Sequence, residues 1–169
     1  MQILILPGFH PKNQKWAEET KIELDPFFPT TAYSWAHWKT EKPEKNWVEV
    51  ESKRILELAQ GSAVNVIAKS IGTLVAAYII GFAPKMVNKL VLCGIPLNDI
   101  GDKDKINYNS LTKISSEKII VIQNEDDPHA NFEQVKEFLD KINKQIAIIS
   151  KPGSDHEYYY SDAFLEFLK

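Results

Sequence analysis

Residues 63–77 read Ala63-Val64-Asn65-Val66-Ile67-Ala68-Lys69-Ser70-Ile71-Gly72-Thr73-Leu74-Val75-Ala76-Ala77. The stretch up to Ala68 is an apolar, β-branched run of strand length, and the residues after Ser70 are small or aliphatic, as in a buried helix. A single serine therefore occupies the turn between a strand and a helix. Lifting its hydroxyl clear of the sheet brings strand and helix close together two residues before and two residues after it, where only small side chains fit. Ala68 and Gly72 meet that demand, with Ala at the position where glycine is more usual. A serine capping a helix would explain Ser70 by itself, so the reading must be tested against the rest of the chain.

Outward from this turn, short strand-like and helix-like segments alternate. Strands are expected over residues 2–6, 30–35, 63–68, 87–93, 118–124 and 145–150. Helices are expected over 13–22, 47–60, 71–82, 132–143 and 161–168. In the second helix Val48, Ile55, Leu56, Leu58 and Ala59 fall near one face. Four strands are nearly unbroken Val/Ile/Leu runs, which suits a parallel sheet covered on both faces. The pattern predicts an α/β doubly wound, mainly parallel six-stranded sheet with helices on both faces, forming one domain over residues 1–169. The longest irregular segment, 95–116, is expected to hold at most a short helix or turn over one end of the sheet.

Reactive groups in such sheets lie beyond the carboxyl ends of the strands. The fifth strand is followed by Asn124-Glu125-Asp126-Asp127-Pro128-His129, and the sixth by Pro152-Gly153-Ser154-Asp155-His156. Either could be an ordinary loop. Together with Ser70 they supply, at successive strand ends, a hydroxyl nucleophile, a carboxylate and an imidazole. Asp127 is favoured as the acid because Pro128 fixes the backbone beside it, with Asp126 and Asp99 as alternatives. The first strand ends in Leu6-Pro7-Gly8-Phe9-His10. There Gly8 would let the chain turn so that the Phe9 N–H joins the Ile71 N–H, at a helix N-terminus, in holding a developing oxyanion. His10 and His129 are candidate pocket residues, and His37, in Trp35-Ala36-His37-Trp38, is expected to be structural.

Composition narrows the rest. Twenty basic and 23 acidic residues give a net charge of −3, which offers no electrostatic case for nucleic acid or an anionic membrane. Lysines and acids are interspersed along the chain, so most are expected at the solvated surface. The lone cysteine, Cys93, lies in an apolar run and reads as a buried thiol. No run approaches the roughly 20 apolar residues of a membrane span, the N-terminus lacks a signal-peptide pattern, and a cytoplasmic, soluble protein is expected. The histidines lack paired ligand spacing, so no metal is expected, nor any cofactor. A phosphate-binding loop ending at Lys69-Ser70 would need glycine where Ala63 and Ala68 stand. Asp102-Lys103-Asp104 lacks the glycine and closing glutamate of a calcium loop.

Together the Leu-Pro-Gly-Phe-His turn, the small-x-Ser-x-Gly elbow, Asp-Asp-Pro and Gly-x-x-His resemble the α/β-hydrolase superfamily. The likeness is strongest to its small lidless serine hydrolases, the group containing the retinoblastoma-binding serine hydrolase, and it spans nearly the whole chain. The resemblance implies a core sheet lacking the superfamily's first two strands, no cap domain, and a Ser70–Asp127–His156 triad. The expected activity is hydrolysis of small carboxylic esters, or related thioesters or amides, through an acyl-enzyme. A small acyl compound is the expected partner. The rival reading is a hydrolase fold retained as a binding module, with aromatic residues such as Trp16, Trp35, Trp38 and Trp47 as a recognition surface.

Overall fold

A computed structural model of the chain describes residues 1–40 and 42–169. The elements run in chain order as β1 (Ile3–Leu6), α1 (Asn13–Leu24), β2 (Thr30–Ala32) and α2 (His37–Thr40). Next come α3 (Trp47–Ala59), β3 (Val64–Lys69), α4 (Ile71–Phe82) and β4 (Val87–Cys93). The chain ends with α5 (Asp102–Lys105), β5 (Ile119–Asn124), α6 (Phe132–Asn143), β6 (Ala147–Lys151) and α7 (Ser161–Leu168). The strands form one sheet in the order β2-β1-β3-β4-β5-β6, and every pairing is parallel.

Every residue of β3 and β5 is buried, because helices cover both faces. On one face Leu74, Val75, Ile79 and Ile80 of α4 pack with Val66, Leu90, Leu92 and Val121, joined by Ile55 of α3 and Val135 and Leu139 of α6. On the other, Trp16, Ala17 and Leu24 of α1 and Phe164 and Leu168 of α7 cover Ile3, Ile5, Ile67, Val91 and Ile122. No helix among the described residues is long and apolar enough to cross a membrane.

The chain reverses direction across the sheet between β1 and β3, whose register pairs Leu6 with Ala68. The loops leaving these two strands are thus neighbours at the topological switch point, where such sheets bind ligands.

Several expectations are corrected. The second strand stops at Ala32; the Tyr33 amide still donates to the Ile5 carbonyl, and the chain then turns into α2. Leu58 is 69% exposed, since the last turn of α3 leaves it lining a cleft with Gln2, Thr31 and Ala59. The face of α3 instead buries Glu51 and Ser52 with Ile55. Residues 95–116 hold α5 and a 3₁₀ segment, Ile106–Lys113. That segment lies along α4: the Tyr108 hydroxyl meets Thr73 Oγ1 at 2.6 Å, Ser110 Oγ donates to the Ala77 carbonyl, and Lys113 Nζ to the Gly81 carbonyl. Trp16 and Trp35 are core residues, while Trp38 and Trp47 are half-buried. Cys93 is fully buried, and burial pushes its thiol pKa far up.

Candidate active site

Ser70 follows β3 directly, with φ 56° and ψ −129°, a conformation that favours glycine and that a serine holds only under constraint. Several bonds impose it. The Ser70 amide donates to the Cys93 carbonyl at 2.9 Å. The Ser70 carbonyl accepts from the Thr73 amide at 2.9 Å and from Thr73 Oγ1 at 2.6 Å. The neighbours are as cramped as the sequence requires. A Cβ placed on Gly72 would stand 2.4 Å from the Leu6 carbonyl oxygen, so only glycine lets α4 start this close to β1.

Asp127 and His156 meet at the ends of β5 and β6. His156 Nδ1 lies 2.6 Å from Asp127 Oδ2, and the Asp127 side chain is wholly buried. The same oxygen accepts from the Tyr158 hydroxyl at 2.5 Å, and Oδ1 from the His129 amide at 2.8 Å. Burial pushes the Asp127 carboxyl up. The hydrogen bonds from His156 and Tyr158, the nearby imidazole and the His129 amide outweigh burial and hold it below the usual aspartate value. Because an ionised carboxylate can only accept, Nδ1 of His156 carries the proton and Nε2 presents its lone pair. That Nε2 is buried and has no hydrogen-bond partner among the described residues.

Gly94, at φ +61°, sets the height of the imidazole above β4. A Cβ there would lie 2.9 Å from His156 Cε1 and 2.5 Å from Tyr158 Cε2. The histidine loop is fastened elsewhere too. Asn124 Nδ2 donates to the Asp155 and Glu157 carbonyls, each at 3.1 Å. Trp16 Nε1 donates to the Tyr158 carbonyl at 2.9 Å. Lys69, beside the nucleophile, is 1% exposed and bonds Glu157 at 2.8 Å across the Trp16 ring. Lys69 is an exception to the mostly solvated charges, because a carboxylate and an indole replace its water.

The alternative acids stand apart. Asp126 is exposed, and its amide donates to the Gly153 carbonyl. Asp99 pairs with His129 Nδ1, and the His129 ring lies against His156 with centroids 4.1 Å apart. His129 thus borders the Asp127–His156 pair. His10 is exposed, and its Nδ1 accepts from the Lys12 amide at 3.1 Å. Phe9 and Ile71 follow β1 and β3, which are paired neighbours in the sheet. Sequence reasoning missed Tyr158, Asn124, Gly94 and Lys69. Tyr158, two residues beyond His156, offered the one local cue. Among the described residues no group of three or more His, Cys, Asp or Glu could hold a metal ion.

Ser70 Oγ makes no hydrogen bond to the unpartnered Nε2 of His156, yet a parallel sheet that turns a strained serine out at its switch point and carries a carboxylate–imidazole pair at the ends of later strands has the architecture of folds built around a nucleophile elbow. The chain belongs to the alpha/beta hydrolase domain family, whose model matches residues 31–163. Solved structures share the fold over 99% of this chain. A lidless α/β serine hydrolase from Xanthomonas campestris is 11% identical, with a TM-score of 0.76 and 80% of its own chain covered. An alpha-beta serine hydrolase homologue from Coxiella burnetii is 19% identical, with a TM-score of 0.72 and 82% covered. Naproxen esterase from Bacillus subtilis is 10% identical, with a TM-score of 0.70 and 83% covered. At these identities the likeness is one of fold. No curated protein matches the chain in sequence.

Proposed function

We propose that this protein is a serine hydrolase of small carboxylic esters, acting through Ser70, His156 and Asp127. The observation that carries the reading is the strained Ser70 turn in a fold that also pairs buried Asp127 with His156 and leaves Nε2 without a partner. His156 takes the Ser70 proton as Oγ attacks the carbonyl, then delivers it to the leaving alcohol. Asp127 holds the tautomer and stabilises the imidazolium. The amides of Phe9 and Ile71 receive the oxyanion, each lowering the barrier by about 3 kcal/mol. Water, deprotonated by His156, then releases the acid and restores Ser70. A binding module would have no need of the strain at Ser70. The motifs ally the chain, within its family, with the lidless retinoblastoma-binding serine hydrolase group.

A fluorophosphonate should label the folded protein at one site, mapped by mass spectrometry to Ser70. Labelling at another residue, or none, overturns the proposal.

Short acyl chains should be preferred. In the segment between β4 and β5, the 3₁₀ stretch Ile106–Lys113 lies along α4. The main clefts among the described residues are lined by neither Ser70 nor His156. A buried acyl tunnel would add about 0.8 kcal/mol per methylene, or about fourfold in kcat/KM. For p-nitrophenyl esters from acetate to palmitate, kept below micelle formation, kcat/KM should instead level off after the first few carbons. A steady rise to palmitate sinks the idea.

A further inference from the structure

The peptide unit joining Gly8 to Phe9 carries the Phe9 N–H. In a trans peptide the carbonyl and N–H point in opposite directions, and no peptide bond among the described residues is cis. Whatever holds the Gly8 carbonyl therefore aims the Phe9 N–H. That holder is the indole of Trp35, whose Nε1 donates to the Gly8 carbonyl at 3.0 Å and whose side chain is fully buried. The following peptide unit is also held. The Phe9 carbonyl accepts from His37 Nε2 at 3.0 Å and from Trp38 Nε1 at 2.7 Å. Because that carbonyl can only accept, His37 carries its proton on Nε2. Both peptide units flanking Phe9 are thus gripped by three ring N–H groups from one four-residue segment, Trp35 to Trp38.

The segment is itself immobilised. Glu51, buried on α3, accepts from the Ala36 amide at 3.1 Å, from the Tyr33 hydroxyl at 2.6 Å and from Arg54 Nη1 at 2.7 Å. The Trp35 ring meets Tyr33 and Trp47 edge-on, with centroids 5.1 and 5.5 Å away. The Phe9 ring stacks on His37 at 4.6 Å. Tight turns rich in glycine are ordinarily mobile, whereas an oxyanion donor works by being fixed before charge develops. The backbone of Gly8 lacks a side chain of its own to restrain it, and a Cβ there would strike Asn13 at 2.8 Å. Restraint has to come from outside the turn.

We infer that Trp35 is a positioning residue for the oxyanion site, its indole N–H fixing the Gly8–Phe9 peptide so that the Phe9 amide faces the reacting carbonyl, with His37 and Trp38 fixing the next peptide. The inference rests on the ester-hydrolase reading and deepens it. The segment after β2 leaves the sheet and brings these three ring N–H groups to the loop after β1.

Trp35→Phe keeps an aromatic ring, though a smaller one, and deletes the donor. On p-nitrophenyl acetate its kcat should fall by about tenfold to a hundredfold, less than loss of an entire donor, with KM within about twofold of wild type. The Ki of an alkyl trifluoromethyl ketone, whose hemiketal carries the oxyanion, should rise by the same factor as kcat falls. Ser110→Ala, which deletes a hydroxyl bonded to the Ala77 carbonyl away from the site, should change neither value. If Trp35→Phe does not fold, Trp38→Phe at the less buried indole should show the same coupled loss in kcat and Ki, smaller in size. Lowered thermal stability with unchanged kcat, or a change in KM alone, overturns the inference. A wild-type protein inert to fluorophosphonate and esters overturns the hydrolase reading and removes the ground of this one. An active wild type with an equally active Trp35→Phe variant overturns only this inference.

Discussion

Asp127→Asn should lower kcat on a good ester by at least a hundredfold or so, while Asp126→Asn and Asp99→Asn stay within about tenfold of wild type. Asp127 Oδ2 receives both His156 Nδ1 and the Tyr158 hydroxyl, and Oδ1 receives the His129 amide. An asparagine fills the same space but turns either an NH₂ or a neutral carbonyl toward the imidazole. The first forces the proton onto Nε2, which can then no longer accept one from Ser70. In serine proteases this exchange costs roughly 10⁴-fold. The Asp126 side chain is exposed and joins none of these bonds, so its amide isostere should be nearly silent. Asp99 reaches His156 only through the His129 ring, which allows a modest effect. The measurement is kcat for the three variants, with circular dichroism confirming the fold. A crippled Asp99→Asn beside a healthy Asp127→Asn would move the acid to the end of β4 and refute the assignment.

Gly72→Ala should destabilise the fold by about 3 kcal/mol or more, near the upper end for adding one methyl to a packed interior. Its Cβ would stand 2.4 Å from the Leu6 carbonyl oxygen and 2.8 Å from that of Pro7, both backbone atoms. No side chain can rotate away, so α4 must withdraw from β1. Gly81→Ala, near the end of the same helix, is the contrast. Its Cβ would meet nothing nearer than Ser110 Cβ at 3.9 Å. There the change should be neutral or stabilising by up to about 1 kcal/mol, since alanine is the better helix former. Urea denaturation gives both values. A Gly72→Ala protein as stable as wild type would contradict the close approach of β1 and α4.

The parts of the molecule with a repeating signature were legible in the chain. Strands β3, β4 and β5 are apolar runs bounded by polar turns. Helices α4, α6 and α7 have the expected limits, because strong periodicity or a stop such as Pro84 marks their ends. Ser70, Asp127 and His156, the proposed triad, were singled out because each follows a strand. The supports around them could not be. The Trp35 bond to Gly8 spans 27 residues, and the Tyr158 bond to Asp127 spans 31. Hydrogen bonds between distant loops leave no period to detect. The burial of Lys69 was hidden for a related reason: its partner, Glu157, is 88 residues away. Leu58 carried an apolar side chain at a helical spacing, but spacing does not say where the sheet beneath the helix ends.

The position of β6 at the margin of the sheet bears on how the protein fluctuates. Bonded on one side only, through β5, a marginal strand is among the first elements to open in the native state, long before global unfolding. His156 follows that strand, yet its loop answers to the interior. Tyr158 reaches Asp127, Trp16 on α1 holds the Tyr158 carbonyl, Lys69 on β3 grips Glu157, and Asn124 on β5 holds Asp155 and Glu157. Fraying of β6 should therefore leave the imidazole tied, through its loop, to α1, β3 and β5. In dynamic terms His156 should follow the slowly opening interior, although it hangs from a strand at the margin.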